Sequence, residues 1–339
     1  MTVAPYGQEG RVALYPIERI YSIKAHDEWR RVDPPGRHGD GDVHRVDGDL
    51  KEFRQSWEDV RDGPFWEVSS WDDLRAAVSF LTLMNKREVL YFRGQQQHYN
   101  EKRLLPVLFR EDWQIQQQPE RYKLCPENRG QYYALIPQLR DDVLKVARRV
   151  GTPRTYVLGH VPAATAAILQ HYGLWPTHFI DLTRSLPTAV AFASGRGEEG
   201  FLYVVAMPDL RGSITSDIDQ HITLSRLEAI CPPGAKRPHH QDSYLVSRFP
   251  EPEGGAQPRD DSWKDWQEKT DLMHRLVAKF RLRLQGGTLL GALRIDDSFL
   301  LPRFTDDEFG RVLTESLLST VESHARRLAL LVPSPESQG

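Results

Sequence analysis

The run Phe201-Leu202-Tyr203-Val204-Val205-Ala206-Met207 carries no charge and no amide, and an almost continuously apolar stretch of this length suits a central strand. Other elements must cover it. Glu88 to Phe92 reads as a second buried strand, ending at Arg93 with Gly94 after it. Phe179 and Ile180 form a short apolar step into Asp181, and Tyr244 to Phe249 and Thr288 to Ile295 are further strand candidates. Between these lie helical patterns. Ser70 with Asp73 opens a helix through Leu74, Ala77, Val78 and Leu81. A second runs over Pro137 to Val150 with Pro137 in its first turn, a third over Ala163 to His171, and small residues from Thr188 to Ala193 make a fourth after Pro187. Leu272, Leu276, Phe280 and Leu284 are read as one face of another helix, with Arg275, Lys279, Arg281 and Arg283 on its other faces. Thr305 and Glu308 form a capping box for a last helix carrying Phe309, Val312, Leu313, Leu317 and Val321. The order lacks regular strand-helix-strand alternation, so the class expected is α+β, a mixed sheet with surrounding helices.

The expected organisation is an N-terminal extension over 1–65, a main domain over 66–330 and a tail over 331–339. The extension contains a possible strand at Arg11 to Ile23 and a Pro-, Gly-, Asp- and His-rich stretch from Asp33 to Asp49. With 44 Lys and Arg against 47 Asp and Glu, the net charge of -3 is too balanced for coating nucleic acid through bulk charge, although a local basic patch stays open. Two cysteines, Cys125 and Cys231, and no apolar run after a basic start lead to the expectation of a reducing cytoplasm. No apolar stretch is long enough for a spanning helix, so no membrane partner is expected.

Several catalytic signatures are missing. The chain has no G-x-S-x-G, H-E-x-x-H, P-loop or C-x-x-C pattern. Gly195 to Gly200 fits G-x-G-x-x-G by letter, but it precedes a strand and carries two carboxylates where a pyrophosphate would lie, so it is read as a turn. His239-His240 and His221 have no nearby thiolate or carboxylate cluster, and no metal is expected.

An ordered set of short motifs remains: Tyr91-Phe92-Arg93-Gly94-Gln95, Leu105-Pro106-Val107-Leu108-Phe109-Arg110, Gln170-His171-Tyr172-Gly173-Leu174 with Pro176-Thr177, and Asp181-Leu182-Thr183-Arg184-Ser185-Leu186-Pro187 before Ala189 to Ala193. This set resembles the FRG domain family. Arg237-Pro238 with Gln241, Ser243 and Tyr244, and the step from Leu301-Pro302 to Asp306, extend the resemblance over roughly Trp71 to Asp307. Trp175 departs from it as an insertion in the glycine-leucine-proline-threonine step, and His178 stands where the family commonly has arginine.

A looser likeness is to ADP-ribosyltransferases of the Arg-Ser-Glu type, which implies a split sheet and NAD as co-substrate. On that likeness Arg93, Gly94, Gln95, Thr183 and Ser185 are the cofactor-binding candidates. The planar fork of Arg93 suits a pyrophosphate, and Gly94 would admit the nicotinamide amide to the backbone. Asp181, Gln241 and His171 are the catalytic candidates. Gln241 stands where that class has a glutamate and cannot neutralise charge; Asp181 would supply the missing carboxylate, with Glu228 a remoter candidate, and His171 would orient a ribose or act as a base. The implied function is transfer of ADP-ribose to a macromolecule, with a nucleic-acid base favoured by the basic helix and the preceding Trp263 and Trp266. Such an activity fits a toxin or antiphage role with a neutralising protein partner. The alternatives are a non-catalytic ligand-binding or interaction module and an NAD glycohydrolase.

Plainer readings of the same residues stand beside these. Arg93 and Asp181 can form a structural ion bridge, Thr183 and Ser185 can cap a helix, Gly173 can end one with Tyr172 in the core, and Gln241 can be a satisfied loop amide. The basic helix face can be solvated surface.

Overall fold

The computed structural model describes residues 20–21, 54–86, 88–98, 103–110, 112–115, 121–195, 197–209, 211–218, 220–248, 267, 270–292, 295, 297–303 and 305–332. The Asp33 to Asp49 stretch, the Pro250 to Asp261 loop, Trp263 and Trp266, and most of the possible strand at Arg11 to Ile23, lie outside the described residues.

In chain order the first elements are β1 (Ile20–Tyr21), β2 (Arg54–Gln55), α1 (Trp57–Asp62), β3 (Trp66–Val68), α2 (Trp71–Met84), β4 (Val89–Gln95), β5 (Asp112–Gln114) and β6 (Arg121–Leu124). Then come α3 (Arg129–Val150), α4 (Tyr156–His160), α5 (Pro162–His171), β7 (Ile180–Thr183), α6 (Leu186–Ala193) and β8 (Glu199–Met207). The last are β9 (Ile214–Asp217), β10 (Ile222–Arg226), α7 (Leu227–Ile230), α8 (Lys236–His240), β11 (Ser243–Arg248), β12 (Leu276–Gln285), β13 (Thr288–Leu289), α9 (Asp297–Leu300), α10 (Glu308–Leu328) and β14 (Ala329–Val332). The fold is α+β. Its main sheet runs β13-β12-β8-β4-β7-β11-β10-β9, with β3 added in parallel to β12 and every other pairing antiparallel. A three-stranded sheet, β14-β6-β5, and the β1-β2 pair stand apart from it.

Two hydrophobic cores result. One fills the space among α3, α5, α10 and the three-stranded sheet, with Leu139, Val143, Ile168, Phe309 and Leu317 buried in it. The other lies on the main sheet, with Leu74, Leu81, Tyr91, Val204 and Phe280. The apolar run from Phe201 to Met207 is central as expected: β8 is hydrogen-bonded to β4 on one side and β12 on the other.

Helix α6 shows why its residues are small. A Cβ on Gly94 would lie 1.8 Å from the Ala189 carbonyl oxygen, and one on Gly200 would lie 2.3 Å from that of Ala193. The backbone of α6 therefore rests directly on β4 and β8, and only glycine beneath and alanine above allow that approach. The side of Gly94 where a Cβ would stand is thus filled by the helix, while the residue itself lines the cleft described below.

The residues from Leu276 to Leu284 form a strand, not a helix. After a 3-10 turn at Leu272–Arg275, β12 buries Leu276, Ala278, Phe280, Leu282 and Leu284. A spacing of four satisfies both a helical repeat and a two-residue repeat; the intervening Ala278 and Leu282 decide for the strand. The supposed basic helix face disappears with it. Lys279 is buried and donates from Nζ to the Arg61 carbonyl at 2.6 Å, while Arg281 and Arg283 both contact Glu67 and Arg283 also pairs with Glu199.

Smaller differences follow from local chemistry. Helix α3 begins at Arg129, so Pro137 lies inside it, and Gly151 ends it at φ 72°. Strand β4 continues through Arg93 and Gly94 to Gln95. The strand expected over Thr288 to Ile295 stops at Leu289, two residues before Gly291 turns to φ 77°. The N-cap of α10 is Asp307, whose Oδ1 accepts from the Gly310 N–H at 2.9 Å, not Thr305. Helix α1, which precedes the boundary expected at 65, buries Val60 in the sheet core, and β14 crosses the one expected at 330.

Replacing Gly94 by Ala forces α6 off the sheet and should cost about 3 kcal/mol or prevent folding. Gly197→Ala, where a Cβ meets nothing closer than 3.7 Å, should unfold with the wild type in denaturant titrations.

Candidate functional site

Strands β4 and β8 share seven register pairs, and β7 and β11 share four, but β4 and β7 share one, Phe92 with Thr183. A regular antiparallel ladder would continue with Arg93 opposite Leu182 and Gly94 opposite Asp181. Instead, Arg93 Nη1 donates to the Asp181 carbonyl at 2.7 Å. The guanidinium thus bridges from β4 to the backbone of β7, and a cleft opens where the two strands part.

This cleft, of about 240 Å³, is lined by Arg93, Gly94, Asp181 and Thr183 from the two strands, by Gln170 and His171 at the end of α5, and by Gln241 and Ser243 beyond α8. Phe92, Leu182, Phe192 and Leu301 give it apolar walls. It gathers Arg93, Gly94, His171, Asp181, Thr183 and Gln241 from the sequence candidates. Gln95 and Ser185 do not line it. Gln95 is buried farther along β4, opposite Phe201, and Ser185 is the N-cap of α6, its Oγ accepting from the Thr188 N–H at 3.3 Å. Thr183 shares this local role, since its Oγ1 accepts from the Ser185 N–H at 3.0 Å.

His171 reaches the cleft because α5 ends there. The Gly173 N–H bonds the Gln170 carbonyl at 2.9 Å and the Leu174 N–H bonds that of Leu169 at 2.8 Å, with Gly173 at φ 63°. These are the two bonds of a Schellman ending. Beyond it Tyr172 is buried, donating to Asp307 Oδ2 at 2.7 Å, with the Arg237 guanidinium 4.8 Å from its ring. Arg237 Nη1 also donates to the His171 carbonyl at 3.1 Å. Trp175 fills the helical core and donates from Nε1 to the Tyr132 carbonyl at 2.9 Å.

Asp181 sits deep in the fold, yet 33% of its side-chain surface is exposed. His171 Nε2 lies 3.2 Å from Asp181 Oδ1, and Gln170 Nε2 donates to Oδ2. Burial opposes ionisation of this carboxyl, but His171, Arg93 and Gln170 together hold it below the usual aspartate range. The expected ion bridge between Arg93 and Asp181 is thus replaced by a bond to the backbone of Asp181, while its carboxylate faces His171. Gln241 is a bound amide. Its Nε2 donates to the Leu300 carbonyl at 2.8 Å, which leaves Oε1 to accept from His171 Nδ1 at 2.9 Å.

With its side chain only 2% exposed and both ring nitrogens directed at protein groups, His171 is placed to orient Asp181. Glu228 is exposed, paired with Arg226, and does not line the cleft. Among the described residues no three His, Cys, Asp or Glu side chains converge to hold a metal ion, and no helix is long and apolar enough to cross a membrane. Gln170 and Phe192 stand in the motifs read from the sequence, but their place in the site shows only once α5 and α6 are seated.

The model of the FRG domain family matches residues 88–200, and the chain carries an FRG domain over that stretch. The match includes Arg93, Gln170, His171 and Asp181, whereas Gln241 lies beyond it. Neither curated proteins nor solved structures yield a match.

His178 is enclosed by Tyr133 and Phe179 with ring centroids 5.0 and 4.0 Å away. Burial pushes its pKa down to about 3. The folded form keeps it neutral while the unfolded chain takes up a proton below about pH 6.5, so stability present above that pH is lost as pH falls toward 3. His178→Leu should flatten this acid loss, read as the change in denaturation midpoint between pH 7.5 and pH 5; an unchanged slope contradicts it.

Proposed function

We propose that the cleft binds NAD and transfers its ADP-ribose to a macromolecular acceptor. The observation that supports this most is the meeting of Arg93, from one strand, with Asp181 and His171, from segments far along the chain, where β4 and β7 part. At about 240 Å³ the cleft is smaller than the roughly 300–1,000 Å³ of sites for drug-sized ligands, so it suits one end of a dinucleotide. Phe92 and Phe192 offer apolar faces to a ring, and Arg93 is a planar donor beside them for a phosphate.

In the reaction the bond between ribose C1′ and nicotinamide nitrogen breaks, and its electron pair leaves with nicotinamide. Positive charge grows on the ribose until the acceptor's nucleophile bonds to C1′ and gives up its proton to water. Asp181, held as a carboxylate, accepts a hydrogen bond from a ribose hydroxyl and offsets that charge. Asp181 takes the part that Gln241 cannot. The amide of Gln241 is engaged with His171 and Leu300 and serves to orient.

The acceptor is left at the level of a macromolecule. The basic helix that favoured a nucleic-acid base is the paired strand β12. A toxin or antiphage role, with a protein that neutralises it, is consistent with an NAD-consuming activity in a cell.

The test is nicotinamide release from NAD by the purified chain, alone and with single-stranded DNA, duplex DNA, RNA or protein. Asp181→Asn keeps the shape and removes the charge; it should lower turnover by about 10²-fold or more while the melting temperature changes little. Arg93→Lys should lower it too, because an ammonium cannot reproduce the fork. Polymer-dependent release with a mass gain on the polymer supports the transferase, and release without any acceptor supports a glycohydrolase. No release and no NAD binding by the folded chain would overturn the reading and leave a binding module.

A further inference from the structure

The polar side chains behind the cleft stand in one line, hydrogen-bonded along it except between Asp181 Oδ1 and His171 Nε2. At one end the Phe179 N–H donates to Thr177 Oγ1 at 3.3 Å, and the Thr177 hydroxyl donates to Gln170 Oε1. The Gln170 amide therefore turns its Nε2 to Asp181 Oδ2. Asp181 Oδ1 faces His171 Nε2, His171 Nδ1 faces Gln241 Oε1, and Gln241 Nε2 ends the line on the Leu300 carbonyl. Amide orientation is normally a matter of inference. Here both amides are set by groups that cannot reverse: a backbone carbonyl at Leu300, which only accepts, and an ionised carboxylate at Asp181, which only accepts.

The two oxygens of Asp181 differ. Oδ1 is covered and has no hydrogen-bond partner of good geometry among the described residues, being 3.2 Å from His171 Nε2. Oδ2 is therefore the only oxygen of this carboxylate that can reach the cleft, and it is the one that Gln170 holds. Thr177 is fully buried and does not line the cleft, so its hydroxyl acts on the site only through Gln170.

We infer that Thr177 and Gln170 are positioning residues that fix Asp181 Oδ2 as an ionised acceptor for a ligand hydroxyl, such as those of a ribose diol. Without the Thr177 hydroxyl, the Gln170 amide loses the donor that holds its oxygen away from Asp181, and the carboxylate loses part of the hydrogen bond that favours its charged form. The charged and titratable groups around Asp181 are His171 from α5 and Arg93 from β4, with Arg237 from α8 on the far side of His171. None of them changes in the variants below. The inference rests on the NAD reading only for the identity of the ligand.

The experiment is a carboxyl ¹³C NMR titration of the full chain, with Asp181→Asn used to assign the signal. In the wild type Asp181 should titrate below the ordinary aspartate value of about 3.9. Thr177→Val, which keeps the shape and removes the hydroxyl, should move the midpoint up by about one pH unit, and Gln170→Leu at least as far. Thr177→Ser restores the hydroxyl and should titrate with the wild type. A Thr177→Val midpoint equal to the wild type, or a Thr177→Ser midpoint that moves with Thr177→Val, overturns the inference. Should Thr177→Val not fold, Gln170→Leu decides alone, and an unmoved midpoint overturns it. The titration needs no turnover, so its outcome is independent of whether NAD is the ligand.

Discussion

Where β4 and β7 part, an arginine side chain of one strand bonds a backbone carbonyl of the other. Arg93 Nη1 bonds the Asp181 carbonyl at 2.7 Å, one step beyond the single register pair of Phe92 and Thr183. That bond holds the guanidinium across the opening between the strands, where a hydrogen bond to a backbone carbonyl fixes its direction. The guanidinium remains a wall of the cleft. The same bond ties the arginine to the backbone of the residue whose carboxylate faces His171, which links the shape of the opening to its charge.

The rest of the architecture holds this fork in place. Two glycines, Gly94 and Gly200, seat α6 against β4 and β8. That helix brings Phe192 to one wall of the cleft. From the other core, the ending of α5 places Gln170 and His171 against Asp181, and the buried Tyr172, Arg237 and Asp307 bind that ending to α8 and α10. The cleft thus lies between the helical core and the sheet core. Its chemistry depends on both, because the carboxylate comes from one and the groups that hold it ionised come largely from the other.

Much of this was legible in the sequence where the signal is local. Ser70 as an N-cap, Gly173 as a helix ending, Ser185 as a cap and the apolar run of β8 each follow from chemistry within a few residues. β12 was misread because Leu276, Phe280 and Leu284 fit two periods at once, and with it went the basic face that pointed to nucleic acid. Gly94 was rightly singled out as a place of close approach, but whether the approaching group is a ligand or α6 is set by tertiary packing. The positions of Gln170 and Thr177 were not legible. Their roles depend on the side-chain directions of Asp181, His171 and Gln241, which come from three separate elements.

A crystal structure of the chain with NAD tests most directly whether the fork between β4 and β7 is a ligand site. The prediction is density for one end of the dinucleotide at the fork, with a ribose hydroxyl on Asp181 Oδ2 and a phosphate beside Arg93. Density for NAD at a different part of the surface, with the Arg93 and Asp181 cleft unfilled, would contradict it.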